Sequence, residues 1–383
     1  MALIVDGVFF QLAQSGIARV WRAVLPLLAA ELEMPIVLLD RGGFNMEIPG
    51  VEVVPFPSYK SKFNSYDSEL LEKVCRHYGA EVFASTYYTT PLATPSLLLV
   101  YDMIPERLEF DLSHRDWQEK ELAIAHAQRH VCISHNTRKD LLDFYPELDP
   151  SKVSVAHCGI DPAVFKPATE AEISEFRRKL GLNRPYYIFV GSRAQHKNYK
   201  NASLFFDAVK TMKEVDFDVL CVGGEKIPSG SMSDDTGHKL IQLNLDDESL
   251  AIAYGGAAAL VYPSLYEGFG LPVAEAMSCR CPVISTAHGS LPEVTGDAAL
   301  TVGGSSISEM VDALRAVRDE STRQRLIDLG VRQAAQFRWE PFAQEIARSI
   351  AAIAEEGRKG TYKSFYNKWT ELRTLQGEVD VLA

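Results

Sequence analysis

The sequence predicts an α/β protein built from two successive doubly wound parallel sheets, and three observations lead to this prediction. Short apolar runs alternate with segments of helical periodicity through most of the 383 residues, which is typical of parallel strands covered by helices. The alternation loosens over residues 161–185, where Asp-Pro and Lys-Pro pairs occur, and then resumes. After residue 303 the pattern contains helices alone. We interpret residues 161–185 as a connector between two domains.

In the first half, apolar runs predict strands, and the segments between them predict helices. The strands are predicted at residues 3–10, 35–40, 51–55, 81–85, 96–101, 130–133 and 153–157. The helices are predicted at residues 17–32, 68–77 and 115–128. Ser134 can cap a further helix, which Pro146 stops near Tyr145.

The connector carries an acidic helix that begins at Thr169 and is followed by Gly181. The second half then repeats the alternation. Its strands are predicted at residues 186–191, 218–223, 239–243, 258–263, 282–285 and 299–302. Its helices are predicted at residues 202–212, 246–254, 272–278, 309–318, 323–336 and 341–355. Residues 359–383 are weakly patterned, and the sequence predicts no element there.

The composition is that of a soluble globular protein, with 46% hydrophobic and 23% charged residues. A net charge of −12 argues against nucleic acid as a partner and against a broad basic face for membranes. The first residues, Met-Ala-Leu-Ile-Val-Asp-Gly, predict a strand and not a signal peptide. The six cysteines have no metal-finger spacing, which favours buried free thiols in a reducing compartment. We therefore expect a cytoplasmic protein.

Residues 262–275 predict a strand, a glycine turn and a helix. A short apolar strand ends at Tyr262, and Gly268 and Gly270 form the turn. Pro272 suits a first helical position because it needs no N–H there. The backbone N–H groups at a helix start and the positive end of the helix dipole favour a phosphate. This turn is therefore a candidate phosphate site.

Two carboxylates, Glu267 before the helix and Glu275 in its first turn, flank that candidate phosphate site. A ligand with hydroxyl-rich groups at both ends of a diphosphate fits this arrangement, and a nucleotide sugar is such a ligand. One carboxylate would accept hydrogen bonds from the sugar hydroxyls and the other from the ribose. The alternative is an ordinary strand–turn–helix whose glutamates face water, since short glycine patterns often occur by chance.

The complete string through Met277 resembles the Glu-x7-Glu signature of the retaining glycosyltransferases of the GT-B fold, especially family 4, the glycosyl transferases group 1. The resemblance implies two facing Rossmann-like domains and a last helix that crosses back onto the first domain from about Phe342. It implies an acceptor domain, a nucleotide-sugar donor domain, and a crossover helix with a tail, over residues 1–165, 166–340 and 341–383.

A basic loop follows the first strand of the second half, at residues 190–198. Two cations at a strand end suit a diphosphate leaving group, whose charge grows as the sugar departs. Relatives commonly have Arg-x4-Lys here. Lys197 fits that pattern, while Ser192 occupies the usual arginine position and Arg193 comes one residue later. The resemblance implies that Lys197 and Arg193 hold the diphosphate; the alternative is a solvated basic loop.

Two positions of the first half resemble family landmarks. Gly16 follows the first strand, where relatives have a glycine-rich loop, and its amide would lie near the donor phosphate. Arg19 either has a related role or pairs on the helix surface. Asp102 ends a buried strand and would contact the sugar or assist the acceptor hydroxyl, although relatives have His where this chain has Tyr101. The alternative for Asp102 is a local cap.

The resemblance implies a metal-independent hexosyltransferase without a cofactor, whose donor is a GDP- or UDP-hexose of the mannose or glucose type. The implied acceptor is a saccharide or lipid-linked saccharide in surface polysaccharide synthesis, with at most peripheral membrane contact. The implied catalytic residues are Lys197, Arg193, Glu267 and Asp102. The implied donor-binding residues are Gly16, Ser192, Gly268, Phe269, Gly270, Leu271 and Glu275.

Two other functions fit the same architecture. A nucleotide-sugar epimerase or a sugar phosphorylase needs no separate acceptor alcohol. A non-catalytic component that binds sugar nucleotides would neither transfer nor hydrolyse the sugar. The presence of Glu267, Glu275 and Lys197 favours a catalyst over a pure binding protein.

Overall fold

The computed structural model describes residues 1–12, 16–60, 64–193, 195–225 and 237–382. Contacts divide the chain into two compact units, of which the first comprises residues 1–158 and 339–383 and the second residues 159–338. Each unit contains one sheet, whose strand pairs are all parallel. The predicted fold class is confirmed: the chain has two doubly wound α/β sheets, and its last helices belong to the first unit. The unit boundaries lie a few residues before 165 and 340, where the sequence placed them.

The first unit has a seven-stranded sheet in the order β3-β2-β1-β4-β5-β6-β7. Its strands are β1 Ala2–Asp6, β2 Ile36–Asp40, β3 Val51–Pro55, β4 Ala80–Ser85, β5 Ser96–Val100, β6 Ala127–Cys132 and β7 Val153–Val155. The order of the strands reverses between β1 and β4, and ligands of doubly wound sheets bind beyond the strand ends at such a reversal.

Six helices of the first unit lie between these strands. They are α1 Val8–Leu12, α2 Gly16–Glu31, α3 Asn64–Tyr78, α4 Ile104–Arg107, α5 Arg115–His126 and α6 His135–Phe144. The predicted cap of α6 is confirmed, because the Ser134 hydroxyl accepts a hydrogen bond from the Thr137 amide at 3.0 Å.

The prediction of one strand over residues 3–10 is wrong. The strand β1 ends at Asp6, and α1 begins at Val8. Gly7 makes the turn: a Cβ there would lie 2.7 Å from the Leu39 carbonyl oxygen. The Phe9 amide then donates to the Thr86 hydroxyl of the neighbouring chain segment. Periodicity alone does not separate a buried strand from a buried helix in such a short apolar run.

The second unit has a six-stranded sheet in the order β10-β9-β8-β11-β12-β13. Its strands are β8 Tyr186–Val190, β9 Asp218–Val222, β10 Leu240–Leu243, β11 Ala259–Tyr262, β12 Val283–Thr286 and β13 Ala299–Val302. Its helices are α7 Glu170–Leu180, α8 Ala202–Thr211, α9 Asp247–Gly255, α10 Leu271–Ser278, α11 Leu291–Thr295, α12 Ile307–Ala316 and α13 Glu320–Ala334. Here the strand order reverses between β8 and β11, so the segments that follow these two strands form the expected ligand edge.

Two further helices belong to the first unit, α14 Trp339–Arg358 and α15 Lys363–Leu382. The helix α14 contacts α2 and the strands β4, β5 and β6. Its buried stripe, which includes Phe342, Ile346 and Ile350, has the spacing of an amphipathic helix. The helix α15 lies where the sequence predicts no element. Its buried side chains include Tyr366, Trp369 and Arg373, which mix aromatic and charged types and so blur the apolar period.

Two further expectations concern the cysteines and the lengths of the apolar helices. All six cysteines are free and buried, as predicted. Across the described ranges, no helix combines the length and the apolar character needed to cross a bilayer.

A buried ion cluster lies at the carboxyl edge of the first sheet. The Arg41 guanidinium donates to both oxygens of Asp6, at 2.6 and 2.8 Å, and to both oxygens of Asp67, at 2.9 and 2.6 Å. The Thr89 hydroxyl donates to Asp6 at 2.6 Å. Burial lowers the pKa of Arg41, but the two carboxylates outweigh burial and raise it overall. The cluster joins the ends of β1 and β2 to α3 and to the segment after β4.

We predict that the free energy of unfolding falls as the pH drops below 6.5, because two histidines are buried uncharged. Burial lowers the pKa of His126 to about 3 and that of His130 to about 4. The unfolded chain therefore binds protons that the folded chain does not, at about 1.4 kcal/mol per pH unit for each histidine. Urea unfolding between pH 6 and pH 5 measures this slope.

His126→Gln should reduce this contribution by about half, since one of the two imidazoles is removed. The matched control is His77→Gln, which removes an exposed imidazole of α3 instead of a buried one. An equal slope in wild type and His126→Gln would contradict the prediction.

Candidate functional site

The predicted strand–turn–helix at residues 262–275 is present. The strand β11 ends at Tyr262, and α10 begins at Leu271 after Gly270, whose φ of 105° favours glycine. The Ser290 hydroxyl donates to the carbonyl oxygens of Glu267 and Phe269, at 2.9 and 2.8 Å. These contacts hold the turn from the segment after β12.

Gly289 lies against the same turn. It has a φ of 58°, and a Cβ added there would lie 2.9 Å from the Glu267 amide nitrogen and 3.0 Å from its carbonyl oxygen. A larger residue would therefore displace Glu267. No local sequence pattern marks Gly289, because a glycine is needed there only through its approach to Glu267, which lies on another strand connection.

A buried ion pair lies at the centre of this site. The Lys200 ammonium donates to both carboxylate oxygens of Glu267, at 2.6 and 2.8 Å, and to the Tyr262 hydroxyl at 3.2 Å. The side chains of Lys200 and Glu267 are 17% and 9% exposed. Burial first, and then the nearby Glu267 carboxylate, raise the pKa of Tyr262 well above its ordinary value. The phenol therefore stays protonated beside the pair.

Lys200 was not predicted as a site residue. It closes the 3₁₀ turn Gln195–Lys200, immediately before α8. The Leu265 amide donates to the Tyr199 carbonyl at 2.7 Å, and the Asn201 side chain donates to the Pro263 carbonyl at 3.1 Å. Hydrogen bonds on both sides of Lys200 thus fasten this loop to the glycine turn. The dipeptide Lys-Asn occurs twice in this loop, at 197–198 and at 200–201. Only the second pair directly precedes α8, and this position was the sequence signal that could have identified Lys200.

The two cations predicted from the sequence, Lys197 and Arg193, both lie in the segment between β8 and α8. The backbone of Lys197 lies in the turn Gln195–Lys200, while its side chain lies outside the described residues. The Arg193 guanidinium donates to the carbonyls of Gly191, Gly223 and Glu225, at 2.6–3.0 Å. In this structure Arg193 therefore holds two loops together, and its role toward a diphosphate stays a prediction.

Ser192 belongs to the same loop contact as Arg193. Its hydroxyl donates to both carboxylate oxygens of Glu225, at 2.9 and 2.8 Å. The Arg193 amide donates to the same carboxylate at 2.8 Å. The Ser192 hydroxyl, at the position where relatives have an arginine, is thus hydrogen-bonded to a carboxylate. The contact of Ser192 with the sugar-nucleotide donor stays a prediction.

The two glutamates of the signature are both buried. Over the whole residue, Glu267 is 7% exposed and Glu275 is 2% exposed. The Tyr254 hydroxyl lies 3.5 Å from one carboxylate oxygen of Glu275. The alternative in which both glutamates face water is therefore wrong. Burying a carboxylate is costly unless it is paired, so such positions indicate a structural or ligand-binding role.

Gly16 and Asp102 lie in the first unit. Gly16 is the exposed first residue of α2, next to residues 13–15, which lie outside the described chain. Asp102 accepts a hydrogen bond from the Ile104 amide at 3.0 Å, which is the local turn contact weighed as its alternative role. Its carbonyl accepts from the buried Lys120 ammonium at 3.1 Å, and that ammonium also pairs with Glu106. The acceptor chemistry of Asp102 stays a prediction.

Comparison with known proteins adds three relationships. Residues 184–320 match the family model described as glycosyl transferases group 1. O-antigen chain mannosyltransferase B of Escherichia coli is 45% identical over 95 residues, which cover 24% of this chain and only 25% of that protein. Alpha-maltose-1-phosphate synthase of Mycobacterium tuberculosis is 28% identical over 314 residues, which cover 71% of this chain and 79% of that enzyme.

The fold is also found among solved structures. The crystal structure of Anabaena HepE in complex with UDP and glucose superposes with a TM-score of 0.71 over 92% of this chain and 99% of that one. The sequence identity is 15%, so this likeness concerns the fold. The segment 184–320 contains Lys200, Glu267 and Glu275. That segment is similar to the glycosyl transferases group 1, the family that residues 262–277 resemble.

Proposed function

We propose that this glycosyltransferase transfers a hexose, with retention of configuration, from a nucleoside diphosphate sugar to a hydroxyl of a saccharide or lipid-linked saccharide. The observation that carries the proposal is the buried Lys200–Glu267 pair beside the glycine turn at the start of α10. It places a cation and a carboxylate after the two strands, β8 and β11, between which the strand order reverses. Nucleotide ligands of doubly wound sheets bind at that edge.

In the proposed reaction, Lys200 stabilises the departing diphosphate, with Lys197 and Arg193 of the same loop as further cations. The amides of residues 268–271 face the phosphates, where a helix start favours negative charge. Protein cations then supply the charge that a metal supplies in other transferases. We therefore propose that the enzyme needs neither a metal nor a cofactor.

The two glutamates have separate roles in this proposal. Glu267 accepts hydrogen bonds from the transferred sugar, and Glu275 accepts them from the ribose. The acceptor oxygen forms a bond to the anomeric carbon while the bond from that carbon to the phosphate oxygen breaks. The acceptor proton passes to the leaving diphosphate on the same face of the sugar, which gives retention.

The relatives support a choice of donor. The E. coli relative is named as a mannosyltransferase, and the Anabaena structure contains UDP and glucose. We therefore propose a GDP- or UDP-hexose of the mannose or glucose type as the donor, in a cytoplasmic enzyme of surface glycan synthesis with at most peripheral membrane contact.

A donor panel tests the function. The purified protein is incubated with UDP-glucose, UDP-galactose, GDP-mannose and ADP-glucose, first alone and then with saccharide acceptors. We expect one donor to release free nucleoside diphosphate slowly, and a suitable acceptor to accelerate the release. The anomeric configuration of the product, read by NMR, should match that of the donor. Epimerised donor without free nucleotide, or tight donor binding without any turnover, would overturn the proposal.

Glu275→Ala should weaken the binding of the matching nucleoside diphosphate by about tenfold or more, because hydrogen bonds to charged groups contribute about 1.5–3 kcal/mol each. Isothermal titration calorimetry measures this change. Glu320→Ala, which removes an exposed carboxylate in α13, is the control. Unchanged affinity in Glu275→Ala would remove the ribose role.

A further inference from the structure

The helix α15 carries an exposed apolar stripe. Leu372, Leu375 and Val379 are 63%, 53% and 64% exposed. Within the described residues, Met1 is the one large apolar side chain that is more exposed than Val379. Phe365, which is 38% exposed, lies two turns before Leu372. We call these four residues the α15 stripe.

The stripe faces away from the body of the first unit because contacts of the other face fix the rotation of the helix. Arg373 donates to the Glu119 carboxylate at 3.1 Å and to the Ser68 hydroxyl at 3.0 Å. Tyr366 and Trp369 are buried against the His126 ring, with centroid distances of 5.0 and 5.3 Å. Rotating α15 about its axis until the stripe was covered would break the buried Arg373–Glu119 ion pair and expose the rings of Tyr366 and Trp369.

The spacing of the stripe is that of a helix–helix seam. Residues 365, 372, 375 and 379 follow one another at intervals of seven, three and four. Such intervals keep side chains on one line along a helix that pairs with another helix. Position 368, which completes the series, is the exposed Lys368.

The charges beside the stripe indicate the orientation of the pairing. Lys368 lies in its first half, while the exposed Glu371 and Glu378 flank its second half. A parallel second copy would place Lys368 against its own equivalent. An antiparallel copy, with its two-fold axis between Leu372 and Leu375, places Lys368 level with Glu378 of the second copy. Opposite charges are then adjacent on both sides of the axis.

We propose that the α15 stripe is a self-association surface, on which a second copy of this chain packs its own α15 in antiparallel orientation. A lipid surface fits these charges less well, because glutamates flank the stripe and the chain carries a net charge of −12. The neighbouring helix α3 also exposes Tyr66 and Leu70, at 51% and 36%. The apolar surface of this unit is therefore not confined to one helix. This proposal does not depend on the proposed enzymatic function.

Sedimentation velocity of the full chain from low to high micromolar concentration tests the proposal. We expect a monomer–dimer equilibrium, and the double substitution Leu372→Glu with Leu375→Glu should weaken association by at least about tenfold. Val331→Glu, on an apolar residue of α13 that is 39% exposed, is the control and should leave association unchanged. Unfolding transitions of each variant show whether α15 remains folded.

A charge exchange tests the antiparallel orientation without touching the apolar residues. Lys368→Glu alone and Glu378→Lys alone should each weaken the dimer, and the two together should restore it. A chain that stays monomeric at every concentration overturns the proposal. If lipid vesicles then removed that chain from solution, the stripe would be assigned to a membrane surface. A dimer that survives the double glutamate substitution would place the interface elsewhere and also overturn it.

Discussion

Replacing Lys200 with methionine should lower kcat for glycosyl transfer by about 10²–10³-fold, the usual effect of removing one well-aimed donor from a site where charge develops. The ammonium lies 2.6 Å from Glu267, and both side chains are mostly buried, so its field is weakly screened. The rate with the donor identified by the panel, measured at saturation, reports this change.

Stability and catalysis must be separated in this experiment. Lys200→Met leaves the buried Glu267 carboxylate without its cation, which is destabilising by about 3–5 kcal/mol. The double variant Lys200→Met with Glu267→Gln is neutral at both positions. It should recover most of that stability in urea unfolding while its activity stays low. Recovery of activity together with stability would show that the pair is structural.

Two matched lysine variants complete the series. Lys210→Met removes an exposed lysine that pairs with Asp207 on α8, and it should leave the rate unchanged. Lys197→Met tests the cation predicted from the sequence. A large loss in Lys197→Met with normal turnover in Lys200→Met would contradict the role of Lys200 and support that earlier prediction.

Arg41→Met should lower the free energy of unfolding by about 3–5 kcal/mol, because it leaves buried carboxylates without a compensating charge. Both the Arg41 and the Asp6 side chains are fully buried, and Asp67 is 16% exposed. No other cation is within ion-pair distance of Asp6 in the part of the chain that the structure describes. Urea unfolding at neutral pH, followed by tryptophan fluorescence, measures the loss.

The control for Arg41 is Arg76→Met, which removes an ion pair with Glu72 in α3. The Arg76 side chain is 70% exposed, so its loss should change stability by about 0–1 kcal/mol. Equal losses in Arg41→Met and Arg76→Met would show that the buried cluster contributes no more than a surface pair.

Much of the fold was predictable because its signals are local. The capping Ser134, the helix between Thr169 and Gly181, and the alternation of strands with helices depend on a few neighbouring residues. The short helices α4 and α11 were not predicted, and two other segments were misjudged because their local pattern is ambiguous. Residues 8–10 are all apolar, which fits a buried helix as well as a buried strand. The helix α15 buries arginine and aromatic side chains instead of an aliphatic stripe.

The candidate site was predictable in part for the same reason. Both signature glutamates, the glycine turn and the proline at the helix start lie within one short stretch, and the sequence by itself determined their grouping and the family they indicate. Only the tertiary structure decided which cation accompanies Glu267. Lys200 is separated from it by 67 positions, and the pairing depends on β8 and β11 lying side by side. Long-range ion pairs leave no periodic trace in a sequence, because they are set by the order of the strands and by the exclusion of water.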